Sequence, residues 1–290
     1  VEIVEEGRLL RAERLTARFG AETALEEVVA TGRVSLVERG GASAPGRTLT
    51  ADKVAARLGG GKSLQDFEAT GRVQIEETAP GAPARRLRAD RVLAKSGPDR
   101  TLQSFDALGG VTIEEGAPGT KDTRLLRADR VLAKTGADGT LQSFDALGKV
   151  TITEGAPGTR EARLLHADRV IARIGSRQTL QEFDAIGRVS IDDAGGSRAA
   201  GRTLRADRVL SRLGSAGTLE GFDASGNVVI EEGESLEKGG RVVRAERLTA
   251  LLGPENQLRR VTAQGRRVSL EESRVRAVGR TLVWDAAADA

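Results

Sequence analysis

The sequence predicts an all-β protein, an elongated open β-jelly roll (a β-taco) made of about seven stacked antiparallel hairpin repeats with a 39-residue period. Three observations carry this expectation. The segment TLQSFDALGGVTI from Thr101 returns as TLQSFDALGKVTI at Thr140, TLQEFDAIGRVSI at Thr179 and TLEGFDASGNVVI at Thr218, with looser copies beginning at Ala24, Ser63 and Gln257. The glycine of this motif stands at Gly32, Gly71, Gly109, Gly148, Gly187, Gly226 and Gly265, in steps of 39, 38, 39, 39, 39 and 39 residues, and an alanine of the other half-unit keeps the same steps from Ala12 to Ala245. Inside each copy apolar residues recur at every second position, the period of a half-buried strand.

Seven units fill the chain, at 7–45, 46–84, 85–122, 123–161, 162–200, 201–239 and 240–278, with a partial eighth at 279–290, so a single repeat domain is expected. In the third unit Phe105, Ala107, Gly109, Val111 and Ile113 share one face, while Asp106, Leu108, Gly110, Thr112 and Glu114 take the other. Recurring glycine and clustered β-branched residues disfavour a helix. In the preceding half, Leu87 and Ala89 share a face, as do Val92 and Ala94, but the two sets are three residues apart across Asp90 and Arg91. The same slip separates Leu102 from Phe105. Both sets stay inside only if the strand bends or bulges there.

Turn residues close each unit at both ends. Ser96 to Arg100 matches Thr135 to Gly139, and Glu115 to Thr120 matches Glu154 to Thr159. A unit thus reads as one long hairpin whose strands cross a common crease beside the Asp-Arg pairs. Stacked at ~4.8 Å per strand, seven hairpins would span roughly 65 to 70 Å. Two coils of a parallel helix have the same period, and the paired turns argue against them.

Composition narrows the function classes. Lys and Arg number 45 against 42 Asp and Glu, a formal charge of +3, and the two signs alternate along the chain. Nucleic-acid binding needs a stripe of one sign and aromatic platforms, whereas this chain has six Phe, one Trp and no Tyr. The absence of cysteine excludes disulfides and thiolate metal sites without deciding the redox compartment. No apolar run approaches the ~20 residues of a membrane helix. No signal peptide is visible, and Val1 already lies inside a repeat, as in a trimmed or mature product.

GxVxI closing one arm, LxAD opening the next and a period near 40 resemble the OstA-like family, which comprises periplasmic lipopolysaccharide-transport proteins of the LptA and LptC type and the amino-terminal domain of LptD. The resemblance runs from Gly7 to Glu272. It implies a twisted, open-sided jelly roll with a hydrophobic groove that shelters lipid A acyl chains. It also implies a periplasmic place in the bacterial envelope, with an inner-membrane anchor outside this chain as one arrangement. Its implied partners are lipopolysaccharide or a similar acylated lipid, and OstA-like components joined edge to edge at the ends, a head-to-tail homo-oligomer included.

The small inward rows point the same way. Ala89 and Ala107 have alanine counterparts in all seven units. Facing sheets sit ~10 Å apart, so such rows mean either close approach at the crease or room kept for a guest. With the resemblance, the groove is the favoured reading, and an acyl chain would gain ~0.8 kcal/mol per buried CH₂ in it. The candidate lining is Ala89, Leu102, Phe105, Ala107, Val111 and Ile113, then Ala128, Leu141, Phe144, Ala146, Val150 and Ile152, then Ala167, Leu180, Phe183, Ala185, Val189 and Ile191, with Phe222 and Ala224. Enlarging Ala107, Ala146 and Ala185 to Leu is expected to block binding with the sheet intact.

No catalytic residue, metal or cofactor is expected. Glu13, Asp52, Asp90, Asp129, Asp168, Asp207 and Glu246 form one acid row, and Glu68, Asp106, Asp145, Asp184 and Asp223 another. Equivalent acids one hairpin apart are about 10 Å from each other, too far to share a calcium ion with ~2.4 Å contacts, so ladders of Asp facing Arg are the better reading. His166, the only histidine, replaces an arginine of other units and has no nucleophile near it in the motif. Arg72, Lys149 and Arg188 read by default as a solvated face, and alternatively as a groove rim for lipid phosphates. The end units depart from the pattern at Val28, Val29, Val261 and Thr262, and the chain restarts a strand around Trp284, leaving open edges that recruit partners. The rival function is a structural β-solenoid, filament or stalk, with a closed dry core; an enzyme on a parallel β-helix ranks third.

Overall fold

A computed structural model of the chain describes residues 1–5, 7–20, 24–41, 45–59, 63–81, 83–97, 101–117, 120, 122–156, 162–175, 178–194, 201–214, 217–233, 239–253 and 258–285. The expected turn at Ser96 to Arg100 and those after Glu115 and Glu154 lie partly outside these residues. Among the described residues the protein is all-β, and 17 strands form one open antiparallel sheet.

Two compact units are distinguished, Val1–Ala146 and Leu147–Ala290. The first holds β1 (Glu2–Glu5), β2 (Arg8–Arg11), β3 (Arg14–Phe19), β4 (Leu25–Glu38), β5 (Gly46–Gly59), β6 (Ser63–Thr78), β7 (Arg85–Ser96), β8 (Leu102–Glu115) and β9 (Arg124–Thr135). The second holds β11 (Arg163–Ile174), β12 (Leu180–Asp193), β13 (Arg202–Leu213), β14 (Leu219–Glu232), β15 (Arg241–Leu252), β16 (Leu258–Glu272) and β17 (Val275–Asp285), while β10 (Leu141–Glu154) contributes residues to both. From β4 to β9, and again from β11 to β17, each strand pairs antiparallel with the next in chain order. These pairings are incompatible with a parallel coil.

Each full strand is bent in its middle. Between β7 and β8 the register runs from Arg88 opposite Thr112 to Arg91 opposite Leu108, so two residues of β7 face three of β8. The bend in β7 is where the sequence placed it. In β8 the sequence placed a bend or bulge at the Leu102–Phe105 slip, and a bulge is found there, at Gln103; the crease of β8 is a separate feature at Gly109 and Gly110, with φ of 78° and 53°. The same pair of left-handed residues recurs at Gly71 and Arg72 (77° and 47°) and at Gly187 and Arg188 (78° and 46°). Two successive left-handed residues reverse the pleat, which a continuous period-two reading through Gly109 cannot represent.

Hydrogen bonds tie the turns. Gly136 N–H donates to Thr140 O at 2.8 Å, and the equivalent bonds join Gly97 to Thr101, Gly175 to Thr179 and Gly214 to Thr218. At the other end Gly116 N–H donates to Ala84 O, and Gly233 N–H to Gly201 O, each at 3.0 Å.

The core lies at the crease and has a definite pattern. In the first unit Ala69 stands opposite Val92, Val92 opposite Ala107, and Ala107 opposite Val131. On the other side of the bend the order is reversed, with Val73 opposite Ala89 and Val111 opposite Ala128. In the second unit Val170, Ala185, Val209, Ala224, Leu248 and Ala263 follow one another in the same alternation. Each strand from β4 to β9 and from β11 to β16 thus brings one small and one large residue to the crease, in opposite order to its neighbours. Ala107, Ala185 and Ala224 are 0% exposed, and Val92, Val111, Val131 and Val228 are 1% exposed. A single sheet leaves both faces open to solvent, so zero exposure requires the two arms of the bent sheet to cover each other at the crease.

Candidate functional site

Away from the crease the same face stays apolar but is only partly covered. On the first arm Leu87 stands opposite Ile75 and Ile113, and Leu126 opposite Ile113; in the second unit Leu204 lies between Ile191 and Ile230. On the second arm Phe67 and Phe105 flank Ala94, and Phe183 and Phe222 flank Ser211. These Leu, Ile and Phe side chains are half-buried. Beyond them runs a leucine row, with Ser96 opposite Leu102, Leu213 opposite Leu219 and Leu252 opposite Leu258, and with Leu64 and Leu102 each 38% exposed. Burial therefore falls from the crease outward along both arms, as the inner walls of a trough in each unit would require.

The candidate lining residues divide accordingly. Ala89, Ala107, Ala128, Ala146, Ala167, Ala185, Ala224, Val111, Val150 and Val189 are buried at the crease and form its closed floor. Phe105, Phe144, Phe183, Phe222, Ile113, Ile152, Ile191, Leu141 and Leu180 are half-buried, and Leu102 is exposed. Accessible apolar surface therefore belongs to the Phe, Ile and Leu members. The sequence reading omitted Leu87, Leu126 and Leu204 from the wall; the alternation in LRAD and its copies carried the signal. The two rows of alanine are filled from the neighbouring strands by valine and are not undersized.

Charged residues lie on the opposite face at the bend. A Cβ on Gly109 would meet Asp90 Oδ2 at 2.2 Å, and one on Gly71 would meet Asp52 Oδ2 at 2.4 Å, so the acid of one strand occupies the space above the glycine of the next. Arg72, the residue after the glycine, donates to Asp52 at 2.7 Å, and Arg188 to Asp168 at 2.6 Å. Hydrogen bonding first and charge second raise the pKa of Arg72, and the Arg188 hydrogen bond holds Asp168 below the ordinary carboxylate range. Both arginines thus stand against acids on the face away from the apolar walls, which fits the solvated-face reading. The second acid row also meets arginines, through Arg91–Glu68 at 2.9 Å, Arg130–Asp106 at 2.6 Å and Arg208–Asp184 at 2.7 Å. The partner in each case lies across the ladder and not beside the acid in sequence.

Nothing else in the described residues gathers chemistry. No group of three or more His, Asp or Glu among them could hold a metal ion. His166 Nδ1 lies 3.2 Å from Thr151 Oγ1. A cleft of about 380 Å³ in the second unit is lined by Leu164, Asp192, Thr203 and Glu231, which face away from the apolar walls. Comparison with known protein families, curated proteins and solved structures finds no match to this chain.

Proposed function

We propose that the protein is a non-catalytic carrier that binds and transfers an acylated amphipathic lipid, either lipopolysaccharide or another amphipathic envelope lipid, along an apolar groove between the inner and outer membranes of the bacterial envelope. The observation that supports this reading best is the outward gradient of burial on the apolar face, from 0% at Ala107 to 38% at Leu102 in one strand. An apolar wall left half-covered favours an apolar guest, and each CH₂ taken up would contribute ~0.8 kcal/mol without any specific polar contact. The OstA-like features of the sequence, GxVxI and LxAD at a period near 40, supply the envelope setting and the kind of cargo.

The edges suit assembly with similar rolls. Val275, Val278 and Val283 on β17 are 58%, 55% and 59% exposed, and Phe19 on β3 is 61% exposed. Edge strands of this kind accept another strand, so OstA-like components or a second copy of the chain are the proposed neighbours.

Native mass spectrometry of the purified protein tests the proposal. Adducts of acyl-lipid mass that are lost from a Phe105→Asp/Phe183→Asp variant support a carrier. A protein that stays lipid-free after incubation with micellar lipid and still polymerises would instead be a structural filament.

A further inference from the structure

The inner faces of the two arms end differently, and the difference bears on the lipid headgroup. This inference rests on the carrier reading. Arg85 stands on the same face as Leu87, and Glu115 on the same face as Ile113; the two are register partners joined at 3.0 Å. Arg47–Glu77 repeats the pair at 2.9 Å in the first unit, and Arg202–Glu232 at 2.7 Å in the second. The first-arm rim of each unit is therefore a ladder of alternating sign, with neighbouring strands ~4.8 Å apart. Among the described residues the last register pairs of the opposite rim are uncharged: Ser96 with Leu102, Leu213 with Leu219 and Leu252 with Leu258.

We propose that the guest is a zwitterionic diacyl lipid of the phosphoethanolamine class, lying with its headgroup along the Arg-Glu rim and its chains toward the Phe and Leu rows. Every arginine of these pairs already faces an acid, so a bisphosphorylated headgroup would have to displace carboxylates and leave them beside its own charge. A zwitterion meets both signs: its phosphate reaches an arginine while its ammonium reaches the neighbouring glutamate. The arginines remain available for this, with Arg85 and Arg202 each 63% exposed. Their pairing is of the weak surface kind that a ligand can rearrange.

The experiment is competitive loading of the full-length protein from vesicles of matched acyl chains, containing phosphatidylethanolamine, phosphatidylglycerol or bisphosphorylated lipid A, read by native mass spectrometry. The wild type should retain phosphatidylethanolamine over phosphatidylglycerol by about tenfold. The triple variant Glu77→Gln, Glu115→Gln and Glu232→Gln, which removes the acids bonded to Arg47, Arg85 and Arg202, should shift that preference toward the anionic lipids. Equal retention of all three lipids, or a wild-type preference for lipid A, overturns the headgroup assignment and leaves the carrier intact. Failure to retain any of them overturns the carrier reading itself.

Discussion

The carboxylate of Asp168 lies over the α-carbon of Gly187, where a Cβ would come within 2.4 Å of Oδ2. Glycine is therefore fixed at this corner twice over, by its φ of 78° and by the acid above it. The same relation joins Asp52 to Gly71, Asp90 to Gly109 and Asp207 to Gly226.

Gly187→Ala should lower stability by about 1–3 kcal/mol, since it adds left-handed strain and a clash with a carboxylate on a packed strand. Urea unfolding followed by circular dichroism measures it; a midpoint equal to that of the wild type would show that the corner yields freely. Gly110→Ala in the same assay should be milder, because a Cβ there meets nothing within 4 Å and only the φ of 53° opposes it.

Ala185→Leu should destabilise by about 1–3 kcal/mol through overpacking. Ala185 is 0% exposed between Val170 and Val209, so there is no vacant volume for the added atoms. This revises the expectation that a leucine at Ala107, Ala146 and Ala185 leaves the sheet intact. Thermal melts of the single variants decide it, and unchanged melting would place free space at the crease.

Arg208→Ala should be the costliest loss among the outer arginines. Its partner Asp184 has only 9% of its side chain exposed and receives two hydrogen bonds from Arg208, at 2.8 and 2.7 Å. Removing the arginine leaves a carboxylate with little access to water, a situation worth about 1–3 kcal/mol. Arg188→Ala, whose partner Asp168 is 46% exposed, should leave the urea midpoint nearly unchanged. If the two variants unfold alike, burial of the acid does not set the strength of these pairs.

Acid should weaken the fold before mild alkali does. Glu76, held by the Arg86 hydrogen bond, has a pKa below the ordinary carboxylate range. Its unfolded form takes up a proton at higher pH than the folded form, so this stabilisation is complete above the unfolded value of about 4 and is lost as pH falls through the lower folded value. Unfolding midpoints measured from pH 7 down to pH 3 should stay level to about pH 5 and then drop; a drop that begins near pH 6 would implicate some other group.

Much of the fold was legible because a repeat states its own register. The step across Asp90 and Arg91 located the bend in β7, and the slip between Leu102 and Phe105 located a real bulge. What the chain alone could not reveal was which residues become neighbours across strands. Ala107 reads as undersized within its own motif, and only the facing Val92 and Val131 fill the space beside it. Arg188, 20 residues after Asp168, is likewise invisible as its partner when attention falls on the arginine next in sequence. The corner at Gly109 escaped because a glycine inside an alternating run is compatible with an ordinary strand until its φ is known. For the candidate site, apolar alternation identified the wall, but the division between a closed floor and exposed flanks depends on how far the arms diverge.

The antiphase of alanine and valine also constrains how such a gene can change length. Losing or gaining a single strand would set Ala against Ala on one side of the fold and Val against Val on the other, a void beside a collision. Only a whole hairpin restores the alternation, so duplication and deletion are tolerated in quanta of 39 residues, and the near-identical copies at Thr101 and Thr140 have the form of one such event.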